Sequence, residues 1–175
     1  MQIIRLKTID STQNYAKKIA EKSVSGTIVL AEKQTKGRGQ FERGWSSSKG
    51  GLYFSIILKP KISPAQIPEL TLKMADAIID ALKIKKPKIF IKPPNDIIVK
   101  CNTGYKKIAG ILTESSVTCN KIDWLVVGVG VNINNKIPKE LKNIAVSLKE
   151  ITGKNGNVKK IFWEVVKKFA NKYMY

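Results

Sequence analysis

Gly37-Arg38-Gly39-Gln40-Phe41-Glu42-Arg43-Gly44-Trp45 is the stretch on which the reading of this chain turns. Of the 32 lysines and arginines only three are arginine, at positions 5, 38 and 43, and two of these lie here. A planar guanidinium grips a carboxylate or phosphate through two parallel hydrogen bonds, which a lysine ammonium cannot do. The interleaved glycines let the backbone come close to an anion and turn N–H groups toward it. The stretch reads as an anion-binding flap closed by an aromatic side chain.

Working outward, the flap lies between two β-rich runs, residues 27–31 and 52–58. Asp10-Ser11-Thr12 offers N-cap oxygens to a helix over residues 15–21, which Gly26 breaks. Downstream, Ser63-Pro64 opens a helix reaching about Leu82, and 89–91 leads into Lys92-Pro93-Pro94-Asn95-Asp96. Extended runs follow at 97–99, 107–112 and 124–129, separated by turns at 102–104 and Asn120. Two helices close the chain, roughly 138–151 and 158–173. Strands joined by short turns, with helices in separate blocks, predict an α+β fold with helices packed on a mixed β-sheet. No repeat or linker divides it, so residues 1–175 read as a single domain.

Composition narrows the chemistry. The absence of histidine removes Ser-His, Cys-His and histidine-metal sites together. Cys101 and Cys119 have no metal spacing and read as free thiols in a reducing compartment. With no long apolar span and no secretory signal pattern, a cytoplasmic protein with no membrane partner is expected. The net charge of +19 fits nucleic acid or an acidic protein partner. The lysines are scattered, aromatic residues make up only 7% and no nucleic-acid motif occurs, which favours the protein partner.

Three further segments carry chemistry. The double proline after Lys92 interrupts a regular ladder and presents Lys92, Asn95 and Asp96 at a rigid strand end. A lysine there can stabilise a developing oxyanion and Asp96 could ligate Mg²⁺, although an ordinary solvated turn has the same pattern. Gly110 in the 107–114 run, and Gly128 with Gly130, open one strand face. A flat ligand could lie against it with Asn132 at its polar edge; sheet–helix packing explains such glycines equally. Neither a P-loop nor a dinucleotide fingerprint is present.

Taken in order, these segments resemble the biotin protein ligase (biotin–[acetyl-CoA-carboxylase] ligase) family. The matching pieces are Asp10-Ser11-Thr12, Gln34 with the Gly37–Trp45 loop, Lys92 to Asp96, Lys107 to Glu114 and Gly128 to Asn132. The resemblance implies a catalytic domain related to class II aminoacyl-tRNA synthetases. It implies a two-step use of biotin, ATP and Mg²⁺, through biotinyl-5′-AMP, to modify a lysine of a biotin carboxyl carrier domain. By the same resemblance Lys92, Arg38 and Lys107 are catalytic cations. Ser11, Thr12, Gln34, Gly37, Arg38, Gly39, Gly110, Gly128 and Gly130 hold biotin. Arg43, Trp45, Lys92, Asn95, Lys107 and Asn132 hold ATP or the adenylate, and Asp96 the metal. Sheet-edge dimers in several members make a homodimer an expectation.

The chain also departs from the pattern. Gln40 stands where many members carry a second arginine associated with retaining the adenylate, so faster release is expected. Pro93 replaces a usual tryptophan. An N-terminal helix-turn-helix extension and the family's small C-terminal β-barrel are both expected to be absent. A lipoyl or octanoyl transferase of the same superfamily and a non-catalytic biotin-binding module are the alternatives. The lack of histidine disfavours the first, and the triple cation disfavours the second.

Overall fold

The structure, a computed structural model, describes residues 1–173, without the side chain of Glu42. Seven strands form one mixed sheet in the order β1-β2-β3-β7-β6-β5-β4. They are β1 (Ile3–Ile9), β2 (Thr27–Gln34), β3 (Leu52–Leu58), β4 (Ile89–Lys92), β5 (Asp96–Cys101), β6 (Gly104–Thr118) and β7 (Lys121–Val131). Only β1 and β2 run parallel. A parallel pair needs a crossover, which helix α1 (Thr12–Ile19) supplies.

The two central strands decide where everything else sits. β3 is buried along its whole length, so both of its faces are covered. Phe54, Ile56 and Leu58 face a core with Val127, Val129 and Ile111, under helices α2 (Ile67–Leu82) and α4 (Val158–Tyr173). Phe54 meets Phe162 of α4 edge-on, with ring centroids 5.5 Å apart. On the opposite face Ile57 and Val126 pack with Ala16 and Ala20 of α1 in a smaller core. β-strand alternation then puts Tyr53, Ser55, Gly128 and Gly130 on the α1 side. The register sets Ser55 beside Gly128, and Gly130 between Tyr53 and Gly110. The glycines therefore leave a trough beside α1.

Two elements differ from expectation. β1 went unread because its Arg5 and Lys7 give it the half-polar character of a sheet edge. The expected 138–151 helix is instead a 3₁₀ turn (Lys139–Leu141) and a five-residue helix α3 (Leu148–Thr152). Between them a turn through Ile144 leads into a short stretch that pairs with β6 at Ala145. Lys107 donates its N–H to the Ile144 carbonyl at 2.8 Å and accepts from Val146 N–H at 3.0 Å. Those main-chain groups would otherwise lie unpaired, a cost that outweighs local helix propensity. α3 begins where Ser147 and Glu150 form a reciprocal capping box. Among the described residues no helix is long and apolar enough to cross a membrane.

Candidate active site

The Gly37–Trp45 stretch folds into a small hairpin strap. Arg38 pairs with Gly44, Gly39 N–H donates to the Arg43 carbonyl at 2.7 Å, and Trp45 N–H to the Gly37 carbonyl at 2.8 Å. Its tip is a 3₁₀ turn (Gln40–Glu42) with Phe41 in the left-handed region at φ 53°. Gly37 is required sterically, since a Cβ there would lie 2.5 Å from both Ser47 Oγ and the Trp45 carbonyl oxygen. It belongs to the neck of the strap and not to the cleft surface.

Beneath the strap runs a narrow cleft whose polar wall is one connected network. Gln34 Oε1 accepts from Thr12 N–H at 2.7 Å and from the Thr12 hydroxyl at 3.1 Å, and Gln34 Nε2 donates to Ser47 Oγ at 2.7 Å. Ser55 Oγ lies 3.0 Å from both Thr12 Oγ1 and Gln13 Oε1. The Gln13 amide then donates to Glu114 at 2.9 Å. Ser11 caps α1 through its hydroxyl, which fixes where Thr12 and Gln13 start.

Glu114 is the hub of this wall. It receives Lys17 Nζ at 2.7 Å and both terminal nitrogens of Arg38, at 3.2 and 3.3 Å. Burial alone would push its carboxyl upward. Hydrogen bonds from Lys17 and Gln13, with the charges of Arg38 and Lys17, override this and hold it below the usual glutamate value.

The glycine face is filled by protein. The indole of Trp45 lies over Gly130 and Gly110, where a Cβ would come within 2.5 and 3.0 Å of it, and Gln13 lies over Gly128. With Trp45 there the narrow cleft keeps only about 40 Å³. Trp45 Nε1 is buried without a hydrogen-bond partner among the described residues. The flat-ligand reading of Gly110, Gly128 and Gly130 therefore requires Trp45 to move.

A wider cleft of about 650 Å³ opens on the other side of the strap. Arg43, Trp45, Lys92, Asn95, Lys107 and Asn132 all line it. Asn95 is stapled to β6, its Nδ2 donating to the Ile111 carbonyl at 2.9 Å. Asn132 accepts from Asn135 Nδ2 at 3.0 Å. Lys107 Nζ lies 2.6 Å from Asp96 Oδ1 and 5.0 Å from the Trp45 ring centroid. The two clefts share Gly39, Gln40, Trp45, Asn95 and Lys107.

The biotin/lipoate A/B protein ligase family model matches residues 6–132. The chain belongs to this family. It is 35% identical over 171 residues to the bifunctional ligase/repressor BirA of Bacillus subtilis, covering 94% of this chain and 51% of that protein. The biotin–[acetyl-CoA-carboxylase] ligase of Paracoccus denitrificans is 35% identical over 127 residues, covering 71% of this chain and 51% of its own length. This chain thus spans about half the length of these relatives. The biotin protein ligase of Aquifex aeolicus, in complex with biotin and ATP, superposes with a TM-score of 0.82 at 35% identity. That match covers 99% of this chain and 70% of the other. The Leishmania major enzyme in complex with biotinyl-5-AMP gives 0.74 at 25% identity, covering 96% and 73%.

Within this family fold, every site residue expected from the sequence except Gly37 borders one of the two clefts. Gln13, Ser55 and Glu114 escaped the sequence reading. Glu114 closes the Lys107–Glu114 motif and could have been found as a carboxylate in a strand of an otherwise lysine-rich chain. Asp96, expected as a magnesium ligand, lines the wide cleft with Lys107 as its counter-ion. No group of three or more acidic, cysteine or histidine side chains suited to a metal occurs among the described residues. One carboxylate with substrate phosphates and water is a donor set Mg²⁺ takes, so Asp96 is the residue that would hold it, and no step is assigned to a metal here.

Proposed function

We propose that this chain joins biotin to AMP and passes the biotinyl group to a lysine of an acidic biotin carboxyl carrier domain. One observation carries this reading: a narrow, polar-walled cleft and a wide cationic cleft meet at Lys107 and Trp45. A reaction between a carboxylate and a nucleotide needs such a seam. The Aquifex relative, with biotin and ATP bound together, supports it.

In the first step a carboxylate oxygen of biotin attacks the α-phosphorus of ATP, and the bond to the β-phosphate oxygen breaks to release pyrophosphate. Two anions must be brought together, and holding them in place removes much of the entropic barrier. Lys107 at the seam and Lys92 at the end of β4 offset the charge building on the phosphoryl oxygens. Arg38 lines the narrow cleft from the strap, with Nε and one terminal N–H left over from its contacts with Glu114 and Asn14. The neutral Thr12–Gln34–Ser55 wall suits the ureido group, which both donates and accepts hydrogen bonds. In the second step a neutral lysine amine attacks the acyl carbon, the bond to the AMP oxygen breaks, and the amine proton passes to solvent.

The test is biotin-dependent exchange of labelled pyrophosphate into ATP, beside Lys107→Ala and Lys92→Ala. Exchange with biotin but not with lipoate or octanoate, reduced at least about 100-fold in each variant, is expected. Exchange that prefers lipoate, or none with any acid, would refute the assignment.

A further inference from the structure

The outer rim of the wide cleft has a character that nucleotide binding does not call for. Nine large hydrophobic side chains are exposed among the described residues; three of them line this cleft and a fourth packs on one of the three. Phe41 at the strap tip is 85% exposed, Tyr105 57% and Ile144 62%, and all three border the cleft mouth. Phe90 packs edge-on against Tyr105, with ring centroids 5.8 Å apart. Clustered exposed apolar groups mark an interaction surface, whereas scattered ones need no explanation.

The same rim is positively charged. Lys92 and Arg43 line the mouth, and Lys100 pairs in register with Tyr105. Lys106 Nζ donates to the Lys142 carbonyl at 2.7 Å, tying the segment that carries Ile144 to β6. Phe90 and Lys100 lie outside the hydrogen-bond network around Thr12, Gln34 and Glu114 and line neither cleft. On the far side of the seam the narrow cleft is closed by α1 and by the Arg38–Glu114 pair. The wide mouth is therefore the open way in for a macromolecular amine.

We propose that Phe41, Phe90, Tyr105 and Ile144, flanked by Arg43, Lys92 and Lys100, are the docking surface for the acceptor protein. The partner that fits is a small acidic domain with an apolar patch next to its target lysine. An apolar centre with a charged border is the usual anatomy of a specific contact, and complementary charge speeds encounter. The inference rests on the proposed two-step reading and adds the surface that serves the second step alone.

Two variants test it: Phe90→Ser and Lys100→Glu. Each is assayed three ways: biotin-dependent pyrophosphate exchange, capture of the activated acyl group by hydroxylamine, and biotinylation of an acidic biotin carboxyl carrier domain below saturation. Exchange and hydroxylamine capture report the centre and its folding, since hydroxylamine needs no docking. We expect both to stay within about twofold of the parent while kcat/KM for the carrier falls roughly 10-fold or more in each variant. Unchanged carrier transfer in both variants overturns the proposal, as does equal loss in all three assays. So does loss of single-stranded nucleic-acid binding with carrier transfer intact. Absence of exchange in the parent chain would instead refute the reading beneath it.

Discussion

Arg38 and Glu114 face each other across the narrow cleft in a two-pronged ion pair, both terminal guanidinium nitrogens lying 3.2 to 3.3 Å from the two carboxylate oxygens. The pair joins the strap to β6, and through Lys17 it also joins α1. An arginine held this way loses little rotamer freedom when a ligand arrives. We expect Glu114→Gln to lower biotin-dependent exchange roughly 10- to 100-fold, because small misplacement of a charge at the seam costs that much. If Glu114 acts through Arg38, adding Arg38→Gln should cost little more in kcat/KM. Full additivity in the exchange assay would show that the two act separately.

The same carboxylate makes stability depend on pH in a set direction. Its folded value lies below the ordinary 4.5. The folded state therefore holds the proton less readily than the unfolded chain. The stabilisation is complete above the unfolded value and is lost as pH falls through the folded one. The melting temperature of the parent should exceed that of Glu114→Gln at pH 7, and the gap should close as pH falls below the ordinary 4.5. A gap that widened on acidification would contradict the ion-pair account.

Trp45 covers the glycines that a flat ligand would need, so binding and indole movement should be coupled. Biotin added to the protein should change Trp45 emission, read against a Trp45→Phe control because two other tryptophans are present. Gly130→Ala places a methyl group 2.5 Å from the indole nitrogen and must displace the ring. Calorimetry should show biotin affinity reduced at least about 10-fold in that variant. Gly104→Ala serves as a control for the method: it meets nothing within 4 Å, although its φ of +108° strains the hairpin turn.

Gln40 borders both clefts, so an arginine at this position would add a cation at their seam. Gln40→Arg should slow release of the activated acyl group into solvent by roughly 10-fold, as a charge-assisted contact replaces a neutral one. Rapid filtration of protein loaded with labelled biotin and ATP measures this. Equal off-rates for parent and variant would remove any role for position 40 in retention.

The central strands were legible because 52–58 is apolar but for Ser55 and 124–129 but for Gly128, the composition of strands covered on both faces. The strap, Lys92 and Lys107 were legible because their residue types are unusual for their surroundings. What stayed hidden depends on register and on partners remote in the chain. Glu114 and Ser55 enter the site only because β6 sets Glu114 opposite Val126 and β3 sets Ser55 opposite Gly128. The 138–151 segment has helical composition, yet the open main chain of Lys107 claims its middle. The glycines were seen as room for a ligand, while the room is taken by Trp45 and Gln13, which no local pattern reveals.

The tie between Lys107 and residues 144–146 bears on how small this reaction centre could be made. The family match ends at 132, and every side chain bordering the seam of the two clefts lies within it. A fragment trimmed to that limit would retain the whole chemical inventory and still lose the outer rail along which β6 carries its lysine. Shortening this protein is therefore limited less by its motifs than by segments that carry none: the backbone tie of Ile144 and Val146 to Lys107, and helix α4, whose Phe162 packs on Phe54.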